Sequence, residues 1–216
     1  MSLPYVKENV LLSLLIKGGW VMIPIFLSSI LALYIIIERL ISIRIASKVP
    51  KNWIRYVNEK TKQSDFRGVL TLCESHKFIA AKILGYYTHS IVSCEKVTWN
   101  LVENKVQEEV YKVEKGIPLL GVIAATAPML GFLGTVTGMI QSFMTIANES
   151  QSVSPKLIAN GIYEALITTA AGLIVGIFAN LGYNYILERI DNLIRVLELT
   201  VNKFHELVKT LPGQDR

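Results

Sequence analysis

The amino-acid sequence predicts an all-α integral membrane protein with three transmembrane helices and long cytoplasmic helical extensions. Of its 216 residues 51% are hydrophobic and only 18% are charged, and the charges lie almost entirely outside three long apolar stretches. A helix needs about 20 consecutive apolar residues to span a bilayer. Each of the three stretches meets that length, so the chain is expected to cross the membrane three times.

The first predicted transmembrane helix covers residues 18–38, after a short periplasmic or interfacial segment over residues 1–17. No charge occurs from Gly18 to Ile37. At a rise of about 1.5 Å per residue this stretch just crosses a hydrocarbon core about 30 Å thick. Glu38 and Arg39 then mark its far interface.

Residues 39–115 are rich in Lys and Arg and predict a cytoplasmic helical domain. An N-cap at Ser64-Asp65 predicts a helix that ends at Glu74, and Ile79 to Tyr87 predicts another. Apolar residues at intervals of three or four then predict a helix from Lys96 that continues without a break into the second membrane span.

The second transmembrane helix is predicted over residues 116–147, which contain no charge. Its small residues would let helix backbones approach closely, so this helix is expected inside a helix assembly rather than facing lipid. Pro128 is expected to kink the helix. The small residues singled out for packing on this span are Gly131, Gly134 and Gly138.

A polar turn over residues 148–156 leads into the third predicted transmembrane helix, residues 157–187, where Gly172 and Gly176 favour close packing. Residues 188–216 predict an amphipathic C-terminal helix and tail. Lys and Arg are concentrated in the 39–115 domain and the tail. Because basic residues favour the cytoplasmic side, the N-terminus is expected outside and the C-terminus in the cytoplasm.

One carboxylate, Glu164, interrupts the third apolar stretch. Carboxylates inside a membrane usually mark an ion path or a polar partner. Thr168 shares its helix face and Thr169 lies beside it, and Thr135 lies on a polar stripe of the second span. These four residues predict a hydrated ion path. The alternatives are that Glu164 reaches back to the outer interface or pairs with the turn, and that the hydroxyls bond their own helix carbonyls.

Enzymatic chemistry, a metal and an organic cofactor are not expected. The two cysteines and three histidines are scattered without metal or redox spacing. The net charge of +5 is interpreted as topology charge on a membrane protein, so no nucleic-acid partner is expected.

Two long motifs, GVIAATAPMLGFLGTVTGMIQSF and IANGIYEALITTAAGLIVGI, resemble the ExbB/TolQ/MotA proton-channel family. The resemblance is closest to the three-span ExbB and TolQ branch. It implies a homopentamer whose second and third helices line a pore around a single-span partner of ExbD, TolR or MotB type. That partner would supply a membrane Asp, surrounded by Thr135, Glu164 and Thr169, while Pro128 would help to couple ion passage to movement.

The resemblance also implies a function, namely the proton-channel and stator subunit of a motor complex in the bacterial inner membrane. The proton motive force would energise outer-membrane transport with a TonB-like protein, or envelope integrity with a TolA-like protein. Two alternatives stay open from the residues: a structural helix-packing scaffold, and an ungated membrane pore without motor activity.

Overall fold

The structure, a computed structural model, describes residues 18–93, 99–148 and 155–211, with only the backbone described for residues 51 and 155–158. The predictions for residues 1–17 and for most of the 148–156 turn therefore lie outside the described residues. In the part that is described, every regular element is an α-helix. These helices are α1 (Met22–Ala46), α2 (Lys51–Lys62), α3 (Phe66–Glu74), α4 (Ile79–Val92), α5 (Trp99–Glu114), α6 (Ile117–Asn148) and α7 (Pro155–Lys209).

Three helical stretches among the described residues are long and apolar enough to cross a membrane. They are α1, the stretch Trp99–Asn148 that contains α5 and α6, and the stretch Ala159–Lys209 within α7. The prediction of an all-α protein with three membrane-spanning helices is confirmed for the described chain.

The predicted unbroken helix into the second span is wrong, because α5 ends at Glu114 and α6 begins at Ile117. Gly116, in the gap, has a φ of +89°. A glycine adopts this left-handed conformation without the Cβ clash that other residues meet, and it commonly ends helices for that reason. Apolar periodicity continues across the gap, so the side-chain pattern alone conceals the break.

Arg39 is buried and lies beside the last turn of α5. Its guanidinium donates hydrogen bonds of 3.2 Å each to the carbonyls of Lys112 and Val113, and it pairs with Glu38. The last carbonyls of a helix have no partner within the helix, so Arg39 satisfies two groups that would otherwise lack one. The residue expected to mark a membrane interface is thus also a helix cap.

The chain divides into two compact units. The first holds the described residues up to Ile36 together with Gly116–Asn184, and the second holds Ile37–Lys115 together with the described residues from Tyr185 onward. The first unit contains the apolar parts of α1, α6 and α7, and the second contains α2 to α5 and the remainder of α1 and α7.

In the first unit, α1 and α7 run parallel to each other. A buried cluster at the start of α1 (Val21, Met22, Ile25) packs against Ile167, Ala171 and Val175 of α7. Further along both helices, Ile36 lies against Gly182. Contact positions rise together along the two helices, so one face of α7 lies against α1 from Ile167 to Gly182.

The second unit has its own aromatic and aliphatic core. Trp53 and Phe78 meet edge to face with ring centroids 4.7 Å apart. The predicted helix from Asp65 to Glu74 is confirmed as α3, and the Asp65 carboxylate accepts a hydrogen bond of 2.9 Å from the Gly68 N–H. This bond satisfies one of the free donors at the helix start.

His205 joins α7 to two other helices of the second unit. Its Nδ1 lies 2.5 Å from the Tyr87 hydroxyl, and its ring centroid lies 4.3 Å from that of Trp99. Burial lowers the pKa of His205, nearby Lys209 lowers it further, and Glu206 acts in the opposite direction. Burial also raises the pKa of Tyr87. The structure therefore favours the neutral imidazole.

This contact predicts an acid-sensitive second unit. Since the folded state lowers the pKa of His205 from 6.5, the unfolded chain binds more protons as the pH falls below about 6.5, and stability declines there. His205→Phe is expected to reduce the dependence of the unfolding temperature on pH, measured in detergent between about pH 5 and 8. The exposed His89, changed to Phe, is the control. An unchanged dependence in His205→Phe would contradict this assignment.

Candidate functional site

α6 and α7 meet through their smallest residues. A Cβ added at Gly172 would lie 2.5 Å from the Ala127 carbonyl oxygen, and one added at Gly131 would lie 2.9 Å from the Thr168 carbonyl oxygen. A Cβ at Gly138 would lie 3.0 Å from the Ala165 Cβ. Positions fall along α6 as they rise along α7, so the helices are antiparallel. The two backbones are in contact at these positions, which is the close approach that small residues allow.

Pro128 is part of the same contact. A Cβ added at Gly176 would lie 2.5 Å from Pro128 Cγ and 3.2 Å from the carbonyl oxygen of Ala124. Proline has no N–H, so it cannot donate to the Ala124 carbonyl one turn earlier. Gly176 thus lies against both the proline ring and the carbonyl that the proline leaves without its usual helical donor.

The hydroxyls at this contact donate to backbone carbonyls. Thr169 donates across the helix pair to the Gly131 carbonyl at 2.9 Å. Thr168, only 1% exposed, donates to Ala165 of its own helix at 2.7 Å, with the Gly131 carbonyl 3.5 Å away. Ser142 is buried and donates to Gly138 at 3.0 Å. Around these three hydroxyls the contact between α6 and α7 is therefore closely packed, and the hydrated ion path stays a prediction.

Thr135 lies to one side of this contact. It is half-buried, and its hydroxyl donates to the Phe132 carbonyl at 2.6 Å. Its neighbours on an open groove of α6 are apolar, and Val136 and Met139 are both well exposed. The face that carries Thr135 is thus available to a second chain or to lipid.

Glu164 faces α1 rather than α6. Its Oε1 occupies the space that a Cβ at Gly19 would need, and the side chain is half-buried. Residues 167, 171 and 175 continue the same face of α7 against α1. Glu164 and Thr168 therefore face different helices. Side chains four positions apart on a helix differ by about 40° in direction around its axis, and this difference places Thr168 on the α6 side. Gly19 is a site residue that the sequence prediction missed, and the only signal for it was the Gly18-Gly19 pair.

Other reactive groups in the described chain are not gathered into a site. No cluster of three or more His, Cys, Asp or Glu that could hold a metal occurs among the described residues. Cys73 is buried in the second unit, and burial raises the pKa of its thiol to about 12. It is therefore a packed thiol at neutral pH. Cys94 lies outside the described residues.

Fold and site together define a multi-pass membrane protein in which two apolar helices, α6 and α7, form a close-packed antiparallel pair, with Glu164 in the apolar stretch of α7. The sequence model of the MotA/TolQ/ExbB proton channel family matches residues 77–199. The chain belongs to this family, and the resemblance inferred from the two motifs is confirmed.

Three similar proteins illustrate the range of the family. The biopolymer transport protein exbB1 of Vibrio cholerae is 29% identical over 183 residues, which cover 83% of this chain and 80% of that protein. A putative biopolymer transport protein, ExbB-like 1 of Synechocystis, is 34% identical over 187 residues, which cover 80% of this chain and 69% of that protein. The Tol-Pal system protein TolQ of Haemophilus influenzae is 33% identical over 96 residues, which cover 44% of this chain and 42% of that protein.

The helix contact predicts a position-specific effect of one methyl group. Gly172→Ala places that methyl against the backbone of α6, so the helices must separate, at an expected cost of about 1–3 kcal/mol in the free energy of unfolding. Gly182→Ala is the matched control, since the atoms that its methyl would meet belong to the Ile36 side chain and not to a helix backbone. Thermal unfolding in detergent measures both. Equal stability of the two variants would contradict the packing described here.

Proposed function

We propose that this protein is the proton-channel and stator subunit of a motor complex that uses the proton motive force across the bacterial inner membrane. The observation that carries the proposal is Glu164, a carboxylate within the apolar part of α7. A charge at that depth is costly and is rarely retained without a role in moving ions or binding a polar partner. Membership of a proton channel family supports the proton as the ion that is moved.

The proposal includes a partner that completes the proton path. Glu164 lies near the outer end of the third apolar stretch, and one carboxylate cannot pass a proton across a core about 30 Å thick. A second titrating group is needed, and a single-span protein of ExbD or TolR type with a membrane Asp would supply it. The names of the similar proteins, biopolymer transport protein and Tol-Pal system protein, support outer-membrane transport or envelope integrity as the work done, through a TonB- or TolA-like protein.

The assembly proposed is a homopentamer in which α6 and α7 line the pore. Thr135 would face the partner from the open side of α6, and Glu164 would exchange the proton. Thr169, through its bond to Gly131, and the buried Thr168 would hold the path in place. Movement would be coupled through the small-residue contact of Pro128, Gly131, Gly134, Gly138, Gly172 and Gly176.

The orientation proposed has the N-terminus in the periplasm and the C-terminus in the cytoplasm. Basic residues are concentrated in the 39–115 domain and the tail from residue 188. The positive-inside rule places such segments on the cytoplasmic side.

Two substitutions test the proton path. Glu164→Gln removes the titrating group and is expected to lower partner-dependent proton flux in liposomes by about 100-fold, a typical effect of losing a proton-transferring group. Thr135→Val should lower the flux by a smaller factor. Thr137→Val is the control: it is a neighbouring threonine of α6 that is not assigned to the path, and its hydroxyl, like that of Thr135, donates to carbonyls of its own helix, at 3.0 and 3.1 Å.

Full flux in Glu164→Gln and Thr135→Val, with the oligomer intact, would contradict the proposed path. An oligomer that dissociates when these residues are changed would instead favour the packing scaffold. Proton leak from the chain reconstituted alone would favour the ungated pore.

Native mass spectrometry tests the composition of the complex. The protein extracted from its own membrane in mild detergent is expected to appear as five copies with at least one small single-span protein that carries a membrane Asp. The outer domain of that protein would distinguish the transport pathway from the Tol-Pal pathway. Another subunit count, or no such partner after gentle extraction, would overturn the proposed assembly.

A further inference from the structure

We propose that Gly19 is a positioning residue for Glu164, and that the turn leading into α1 is therefore part of the ion site. The inference rests on the proposed function for the role of Glu164 itself. It adds the first membrane helix to a site that would otherwise be assigned to α6 and α7 alone.

Gly19 and Glu164 fit together at atomic scale. A Cβ added at Gly19 would come well within 3.0 Å of Glu164 Oε1, and it would lie 3.2 Å from the carboxylate carbon and 3.9 Å from Cγ. The end of the Glu164 side chain thus fills the space above a residue that has no side chain. Gly19 also has a φ of +67°, which L side chains rarely adopt. Glycine is required there for two reasons: the backbone has a positive φ, and the Glu164 carboxylate occupies the space that a Cβ would need.

Packing fixes the register that brings the two residues together. Glu164 continues a stripe of α7 whose next members, Ile167, Ala171 and Val175, pack against the buried start of α1. Their spacing of three and four residues keeps them on one helix face. The backbone of α7 therefore directs position 164 toward Gly19.

The nature of the contact determines what an added methyl group would do. The atom it would displace is the far end of a flexible side chain, unlike the backbone atoms at the Gly172 contact. The helices can therefore stay packed while the carboxylate leaves its position. The structure assigns Gly19 a role in where Glu164 lies, separable from holding the helices together.

The test compares two glycines that share the same backbone constraint. Gly19→Ala adds a methyl at a positive φ and against the carboxylate. Gly116→Ala adds one at a φ of +89°, where the nearest side-chain atom is Ile35 Cγ2 at 4.0 Å. Gly116 directly precedes α6, and Gly19 lies three residues before the start of α1. Any difference between the variants then reports the contact with Glu164 rather than backbone strain.

The readout is modification of Glu164 by the apolar reagent dicyclohexylcarbodiimide, followed by mass spectrometry of the peptide, in the full-length protein extracted with its partners. Gly19→Ala is expected to raise the modification rate several-fold, because the carboxylate leaves a position half-covered by α1. Gly116→Ala should leave the rate unchanged. A rate in Gly19→Ala equal to or below that of the control overturns the inference.

Glu164→Asp provides the second arm. The shorter side chain does not reach the space above Gly19, so adding Gly19→Ala to this background should leave the modification rate at position 164 unchanged. If Gly19→Ala alone fails to assemble, recovery of the oligomer on adding Glu164→Asp supports the inference. Failure to recover assigns the defect to backbone strain and overturns it.

These outcomes are separable from the fate of the proposed function. A modification rate that responds to Gly19→Ala, together with full proton flux in Glu164→Gln, would support the positioning role and overturn the proton path. The reverse pair of results would retain the path and remove Gly19 from it.

Discussion

The contact between the backbones of α6 and α7 is the constraint on which the membrane unit depends. Helices in lipid gain little from apolar burial, so their association relies on close packing and on hydrogen bonds between them. Here glycine carbons lie against carbonyl oxygens, and Thr169 donates across the pair to Gly131. The neighbouring face of α7 packs against the start of α1. The order of the three helices follows from the smallest side chains in the chain.

This arrangement sends the polar groups in three directions. Thr168 is enclosed between α6 and α7, Thr135 lies on the open side of α6, and Glu164 faces the turn before α1. In a single chain these groups do not form one continuous polar wall. A path that uses all of them would have to be completed by another subunit or partner, as the proposed assembly would provide. The same geometry places the packed contact at Thr168 and the carboxylate of Glu164 within about one helical turn of each other, on different faces of α7.

Much of the fold could be predicted from sequence because membrane length and charge are properties of single segments. The three apolar helices and the Asp65 cap needed no knowledge of tertiary contacts. The break at Gly116 could not be predicted, because the apolar spacing continues through it. The burial of Arg39 could not be predicted either, because an arginine after an apolar run usually marks a membrane interface. Glu164 and Thr168 face different helices because α7 contacts α1 and α6 through two adjacent faces. That depends on which helices are neighbours, which one segment cannot reveal.

The position of Glu164 in the last membrane helix also has a consequence for biosynthesis. A chain inserted as it is translated would place two uncharged spans in the bilayer before any carboxylate follows, since proteins form from the N-terminus during synthesis. The costly charge then enters when α1 and α6 are already present to receive it. A prematurely terminated chain lacking α7 carries no acid within its two apolar spans. Under the proposed function, this order would keep incomplete chains from placing a proton-binding group inside the membrane.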